Sequence, residues 1–153
     1  EVTESVFVDH LAANVERALQ ALVSEGVSIA LDDFGTGYAS LTHLQQFPVH
    51  VLKIDRSFIS RLDSADSADF AIVHGVIDIA HRMKIATVAE GVENENQVAQ
   101  LRALGCDIAQ GYLVSRAIGV ERLPDWLARW SQQPPSWARG AGDNPYRLRD
   151  GGG

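Results

Sequence analysis

One cysteine, Cys106, occurs in 153 residues. A lone thiol cannot close an internal disulfide, so this is not the stapled scaffold that small secreted domains use, and a reducing, cytoplasmic setting is expected. No run approaches the roughly 20 consecutive apolar residues of a membrane helix, and the first residues carry no basic segment followed by an apolar signal core. No membrane contact is expected from this segment. Positive charge is also scarce: 13 Lys and Arg stand against 20 Asp and Glu, a formal net charge of -7. That balance argues against a protein that grips a nucleic-acid polymer through its phosphates, although carboxylates gathered around a metal ion would also make a chain acidic.

The chain opens on Glu1-Val2-Thr3-Glu4-Ser5, with no initiating Met, and reads there as the end of a strand; it is expected to be a fragment. From Gln132 to Gly153 it is rich in Pro, Gly, Arg and Asp, so residues 132–153 are expected to be a disordered tail and residues 1–131 the folded portion. Within that portion, Val27–Leu31, His50–Ile54, Lys84–Ala89 and Cys106–Ala109 are short apolar runs that read as buried parallel strands. Between them apolar residues recur at helical spacing: Val8, Leu11, Val15, Leu19 and Leu22; Ile72, Val76, Ile79 and Ala80; Val98, Leu101 and Leu104. Gly26, Lys84 and Gly105 stand where those helices should stop. The succession is α/β, a parallel sheet with helices outside.

The carboxyl ends of these strands are more informative than the strands. They carry Glu1 and Glu4, then Asp32-Asp33, then Lys53 and Asp55, then Glu90 and Glu93, and finally Gln110. An open doubly wound sheet concentrates its chemistry at one switch point, whereas a closed β/α barrel collects residues from every strand at one rim. The even distribution favours part of a barrel. Carboxylates crowded around one lysine disfavour joint ionisation, which a divalent cation relieves. Oxygen ligands with no His or Cys cluster at zinc spacing indicate Mg²⁺ or Mn²⁺. Neighbours on a strand point to opposite faces, so Asp32-Asp33 implies that the strand ends there, where the pair could serve two metals.

Each feature also has a structural reading. Asp32-Asp33-Phe34-Gly35 can be a turn and helix cap, Glu90 and Glu93 an acidic cluster at a helix N-terminus, and Lys53 a lysine with its head in solvent. Cys106 reads as core, and His43, His50, His74 and His81 as surface or helix residues without ligand spacing. Trp126 and Trp130, four apart, read as packing a terminal amphipathic helix.

Taken together, Glu1-Val2-Thr3-Glu4, Asp32 through Leu41, Leu52-Lys53-Ile54-Asp55, Ala89-Glu90-Gly91-Val92-Glu93 and Gln110-Gly111-Tyr112-Leu113 resemble the EAL-domain phosphodiesterases of bacterial cyclic-di-GMP signalling. The resemblance runs from Glu1 to about Arg116 and covers the second half of such a domain. It implies the C-terminal part of a (β/α)8 TIM-like barrel that hydrolyses cyclic di-GMP to linear pGpG with Mg²⁺ or Mn²⁺, in a two-metal site. By the same resemblance Glu1, Asp32 and Asp33 are metal ligands, Asp32 bridging. Lys53 contacts the attacking water and the phosphate, and Glu90 belongs to the metal and water network or acts as base. Gln110 joins that network; Glu93 and Asp55 support it, and Glu4 holds the loop Phe34–Ser40. That loop and its adjacent helix are implied as a homodimer contact. No substrate-binding residues are assigned.

Three departures from the pattern stand out. The Glu-Ala-Leu signature and a downstream asparagine ligand belong before Glu1; Ala39 replaces a serine, and Ala117 a proline. The alternative function is a non-catalytic module that binds cyclic di-GMP or serves dimerisation or regulation. The metal carboxylates and lysine visible in this half are intact, which favours the enzyme. A half barrel alone would expose apolar edges, so the isolated chain is expected to aggregate or pair with another half.

Overall fold

The structure, a computed structural model, describes residues 1–3, 12–35, 41–62 and 67–138. Five strands make one parallel sheet: β1 (Val2–Thr3), β2 (Ala30–Phe34), β3 (Val51–Ile54), β4 (Ala86–Ala89) and β5 (Ile108–Ala109). Each is hydrogen-bonded to the next in sequence. This order has no switch point, so it is the wall of a β/α barrel and not a doubly wound sheet. The connections are α1 (Ala12–Ser24), α2 (Leu41–Gln46), α3 (Arg56–Ile59), α4 (Ala68–Arg82) and α5 (Glu95–Ala103), with α6 (Leu123–Gln132) following β5.

Alternation along the strands sorts side chains onto two faces. Leu31, Leu52, Ile54, Ala89 and Ala109 are buried in apolar clusters under the helices. Ala30, Val51, Lys53, Val88 and Ile108 line a cavity on the opposite, concave face. One cluster joins Leu31 and Leu52 to Leu19 of α1, Leu44 of α2 and Phe47. The other joins Ile54 and Ala89 to Ile59 of α3, Val73 and Ile77 of α4, and Val98 and Leu101 of α5. Each such aliphatic side chain, fully buried, contributes about 1.5–3 kcal/mol, and together they seat the strands whose ends carry the charged groups.

Several expectations shift. β2 begins at Ala30, and Val27 and Ser28 are exposed, so the strand lies further along than the apolar run suggests. β4 begins at Ala86, because Lys84 takes a left-handed φ of 62° that stops the preceding helix. On α4 the buried residues are Val73, Ile77 and Ala80, while Ile72 is exposed: the stripe facing the sheet is rotated from the expected one. The tail is not wholly without order. Gln132 ends α6, Ser136–Ala138 form a 3-10 turn, and Trp137 and the buried Ala138 pack with Trp130 and Val114. Trp126 and Trp130 stack at 5.2 Å, as expected of residues that pack the terminal helix. Among the described residues, no helix is long and apolar enough to cross a membrane.

Candidate active site

The pairing of β2 with β3 builds the site. Leu31 pairs with Leu52 and Phe34 with Ile54, so three steps on β2 match two on β3 and the register shifts between them. Two consecutive residues, Asp32 and Asp33, therefore stand opposite the single Lys53, as in a β-bulge. Asp33 takes a left-handed φ of 57°, which aspartate tolerates better than most residues, and its N–H donates to Asp32 Oδ1 at 3.1 Å. The strand does not end at the pair, contrary to the expectation. The extra residue lets both carboxylates serve one rim while Phe34 returns to the core.

Lys53 is only 7% exposed. Its Nζ lies 2.8 Å from Asp32 Oδ1, 2.8 Å from Glu90 Oε1 and 3.2 Å from Glu1 Oε1. An ammonium has three donors, and these contacts engage all three. Burial alone would lower the Lys53 pKa, but the bonds to Asp32, Glu90 and Glu1 and the charge of Glu90 outweigh it and hold the pKa above the usual lysine range. Lys53 is thus a permanent cation at neutral pH, not a base. The reading of Lys53 as a solvent-facing lysine does not hold.

Oxygens of Asp32, Asp33 and Glu90 all come within 4.8 Å of one another, a group that can hold a cation. Glu90, expected in the metal and water network, is one of the three, whereas Glu1 meets Lys53 with a side chain 61% exposed. Gln110 is exposed just beyond β5 and borders two cavities. The larger, about 800 Å³, runs from Glu1 and Lys53 to Tyr112, Arg116 and Trp126. The smaller, about 230 Å³, lies among Arg56, Glu90, Glu93 and Gln110.

Asp55 and Glu93 stand outside the lysine cluster. Asp55 caps α3, accepting from Ser57 N at 2.9 Å. Burial opposes its ionisation, yet the bonds from Ser57 and the Arg56 backbone outweigh it and keep its pKa below the ordinary value. Glu93 pairs with Arg56 at 3.1 Å. Glu4, and residues 36–40 of the loop expected to carry a dimer contact, lie outside the described residues.

Sequence reasoning missed four participants. Arg56 holds Glu93 and lies against Gly91, whose φ is +69° and where a Cβ would overlap the Arg56 stem. Tyr112 and Arg116 form a cation–π pair, 4.2 Å from guanidinium to ring centroid, on the larger cavity. Gln97 fixes the segment after Glu90. Only Gln97 had a local signal, the capping-box pattern Asn94-x-x-Gln97. At Gly111 a Cβ would meet the Val92 backbone, so only glycine lets the segments after β4 and β5 close on each other.

Residues 1–117 match the family described as EAL domain. Over 140 residues the chain is 41% identical to the cyclic di-GMP phosphodiesterase NbdA of Pseudomonas aeruginosa, covering 88% of this chain and 17% of that one. The solved PaMucR phosphodiesterase, a c-di-GMP complex, is similar with a TM-score of 0.73 and 43% identity, over 80% of this chain and 49% of that one. BlrP1 of Klebsiella pneumoniae, solved as a manganese/cy-diGMP complex, is similar with a TM-score of 0.69 and 32% identity, over 75% of this chain and 29% of that one. The chain thus spans about half of the PaMucR chain and less of the other two.

Proposed function

The chain belongs to the EAL domain family, and from that premise we propose that the protein hydrolyses cyclic di-GMP to linear pGpG with Mg²⁺ or Mn²⁺. The observation that carries this reading is the bulge that sets Asp32 and Asp33 together opposite a buried, permanently charged Lys53, with Glu90 beside it. NbdA and PaMucR are named as phosphodiesterases and PaMucR holds c-di-GMP, which supports the substrate; the manganese in BlrP1 supports the metal.

The residues present fit such ions. Asp32, Asp33 and Glu90 offer oxygen donors only, and one ammonium leaves them a surplus of negative charge. In this reading those three hold the metal ions, with Glu1 as a further ligand from the other flank of Lys53. When bound, the ions would supply a water of lowered pKa and neutralise charge on the phosphate.

The protein's own groups then have distinct tasks. The water oxygen adds to phosphorus and releases a proton to solvent, the P–O3′ bond breaks, and the 3′-oxygen takes up a proton from solvent and leaves as a hydroxyl. Glu90 accepts a hydrogen bond from that water and orients it. Lys53 donates to a phosphate oxygen as negative charge builds there; Glu1, its longest and most exposed contact, is the partner that yields. Gln110, with Tyr112 and Arg116, lines the rim side of the larger cavity, where the nucleotide would lie. Asp55 and Glu93 keep their structural contacts.

The test is to incubate the natural full-length protein with cyclic di-GMP and Mn²⁺ and to follow pGpG by chromatography. Turnover is expected, with Asp32→Asn slower by about a hundredfold or more. Binding of cyclic di-GMP without pGpG would overturn the enzyme in favour of a non-catalytic receptor.

A further inference from the structure

Glu90 and Lys53 come from separate pieces of chain, and their 2.8 Å contact lies where the sheet gives out. The bond from Glu90 N to Ile54 O, at 3.1 Å, is the last between the two segments in the manner of a strand ladder. Beyond it each strand runs into its own loop and helix, which share the apolar packing of Ile59, Val92 and Val98 and need a directional tie to fix their register.

Gln97 provides one. It sits in the first turn of α5, only 5% exposed. Its Oε1 accepts from the N–H of Glu93 at 2.8 Å and of Asn94 at 3.2 Å, and its Nε2 donates to Ile59 O at 3.0 Å. Ile59 closes α3, the helix that starts two residues after β3. One buried amide therefore spans from the segment carrying Glu90 to the helix that follows Lys53. Arg56 makes a second, exposed connection through Glu93 and Gly91, of the surface kind that contributes little.

Helix capping accounts for only part of this arrangement. A capping box needs the side-chain oxygen of Gln97 on the Asn94 N–H and the Asn94 side chain on Gln97 N, and both are present. The Nε2 bond to Ile59, 38 residues away in sequence, lies outside that motif. We propose that Gln97 is a positioning residue, whose side-chain amide clamps the segment Glu90–Asn94 onto α3 and so sets Glu90 against Lys53 and Asp32. The proposal deepens the phosphodiesterase reading, and its kinetic arm rests on that reading.

Gln97→Glu separates clamp from cap: a carboxylate keeps the acceptor oxygen but has no N–H for Ile59 O. Gln97→Met removes both without adding charge. Asp107→Asn, in a half-buried network away from the rim, is the control for lost stability alone. In the natural full-length protein with Mn²⁺ and cyclic di-GMP, both Gln97 variants should lose at least about tenfold in kcat with KM within about twofold, since small misplacements at a reacting centre cost rate steeply. Both should also bind Mn²⁺ more weakly and, without metal, exchange the Glu90 and Val92 amide hydrogens faster. Asp107→Asn should leave kcat, KM and Mn²⁺ affinity unchanged. Wild-type kcat and Mn²⁺ affinity in Gln97 variants with a lowered Tm would overturn the clamp. Absence of turnover in the wild type would overturn the phosphodiesterase reading instead; the clamp is then judged on exchange and Mn²⁺ affinity, and falls if the Gln97 variants match wild type in both. Should Gln97→Met fail to fold, Gln97→Glu decides.

Discussion

Two polar clusters lie at opposite ends of the same sheet, and they are built on opposite terms. Towards the amino ends of β4 and β5, Asp107 Oδ2 accepts from Thr87 N at 2.8 Å and Thr87 Oγ1 at 2.8 Å, and lies 2.9 Å from His81 Nε2. Thr87 Oγ1 in turn accepts from Asp107 N at 3.1 Å. One carboxylate is matched by donors from β4 and α4, so the circuit closes on itself and ties three elements together. At the carboxyl ends, Lys53 faces Glu1, Asp32 and Glu90, with Asp33 adjoining, and the group borders a cavity. A cluster that serves only stability satisfies its own members. One poised for a ligand carries a surplus of charge.

The sharpest way to break this contrast is Lys53→Met. Removing the cation leaves carboxylates facing one another, and the rate should fall by roughly 10²–10³ with a small change in KM. Its Tm should drop without metal and recover on adding Mn²⁺ by more than the wild type gains. Parallel losses in KM and kcat would make Lys53 a substrate anchor.

Asp107→Asn should do the reverse, costing about 1–3 kcal/mol in urea unfolding at pH 7 while kcat stays at the wild-type value. Burial disfavours the Asp107 charge, but the bonds from Thr87 and His81 outweigh it and hold its pKa below the ordinary 3.8. A group so depressed stabilises the fold above its unfolded pKa and loses that contribution as pH falls through the lower folded value. The gap between wild type and variant should therefore persist at neutral pH and narrow below about pH 4. A gap unchanged at pH 3 would remove Asp107 ionisation from the account.

The smallest effect belongs to Cys106, fully buried beside Thr87, whose thiol burial pushes up to about 11. At pH 8 the native protein should react with an aromatic disulfide reagent only at its opening rate, and faster in Asp107→Asn. Immediate labelling in the native state would show that the core there is open.

Much of this was readable from residues alone. Short apolar runs separated by helical spacing led to a parallel sheet with outer helices, because burial between layers leaves a periodic trace. The strand-end positions of Asp32, Asp33, Lys53 and Glu90 were legible for the same reason, since each interrupts or ends an apolar run, whereas Glu1 stands before β1 and not at its carboxyl end. His81 was less so. Read as a surface or helix residue, it sits at the end of α4 but is half-buried against Asp107, 26 residues away, and no local pattern reports such a partner.

What the sequence by itself determined was the order of strands and helices, the sign of the charge, and which side chains reach the rim. Tertiary structure decided which of those side chains meet. The bulge at Asp32-Asp33 exists only as a mismatch of register between two strands. The bond from Gln97 to Ile59 exists only because α3 and α5 pack on the same cluster. Periodicity records how a residue faces its layer, whereas contact between distant residues depends on how the layers are set against each other.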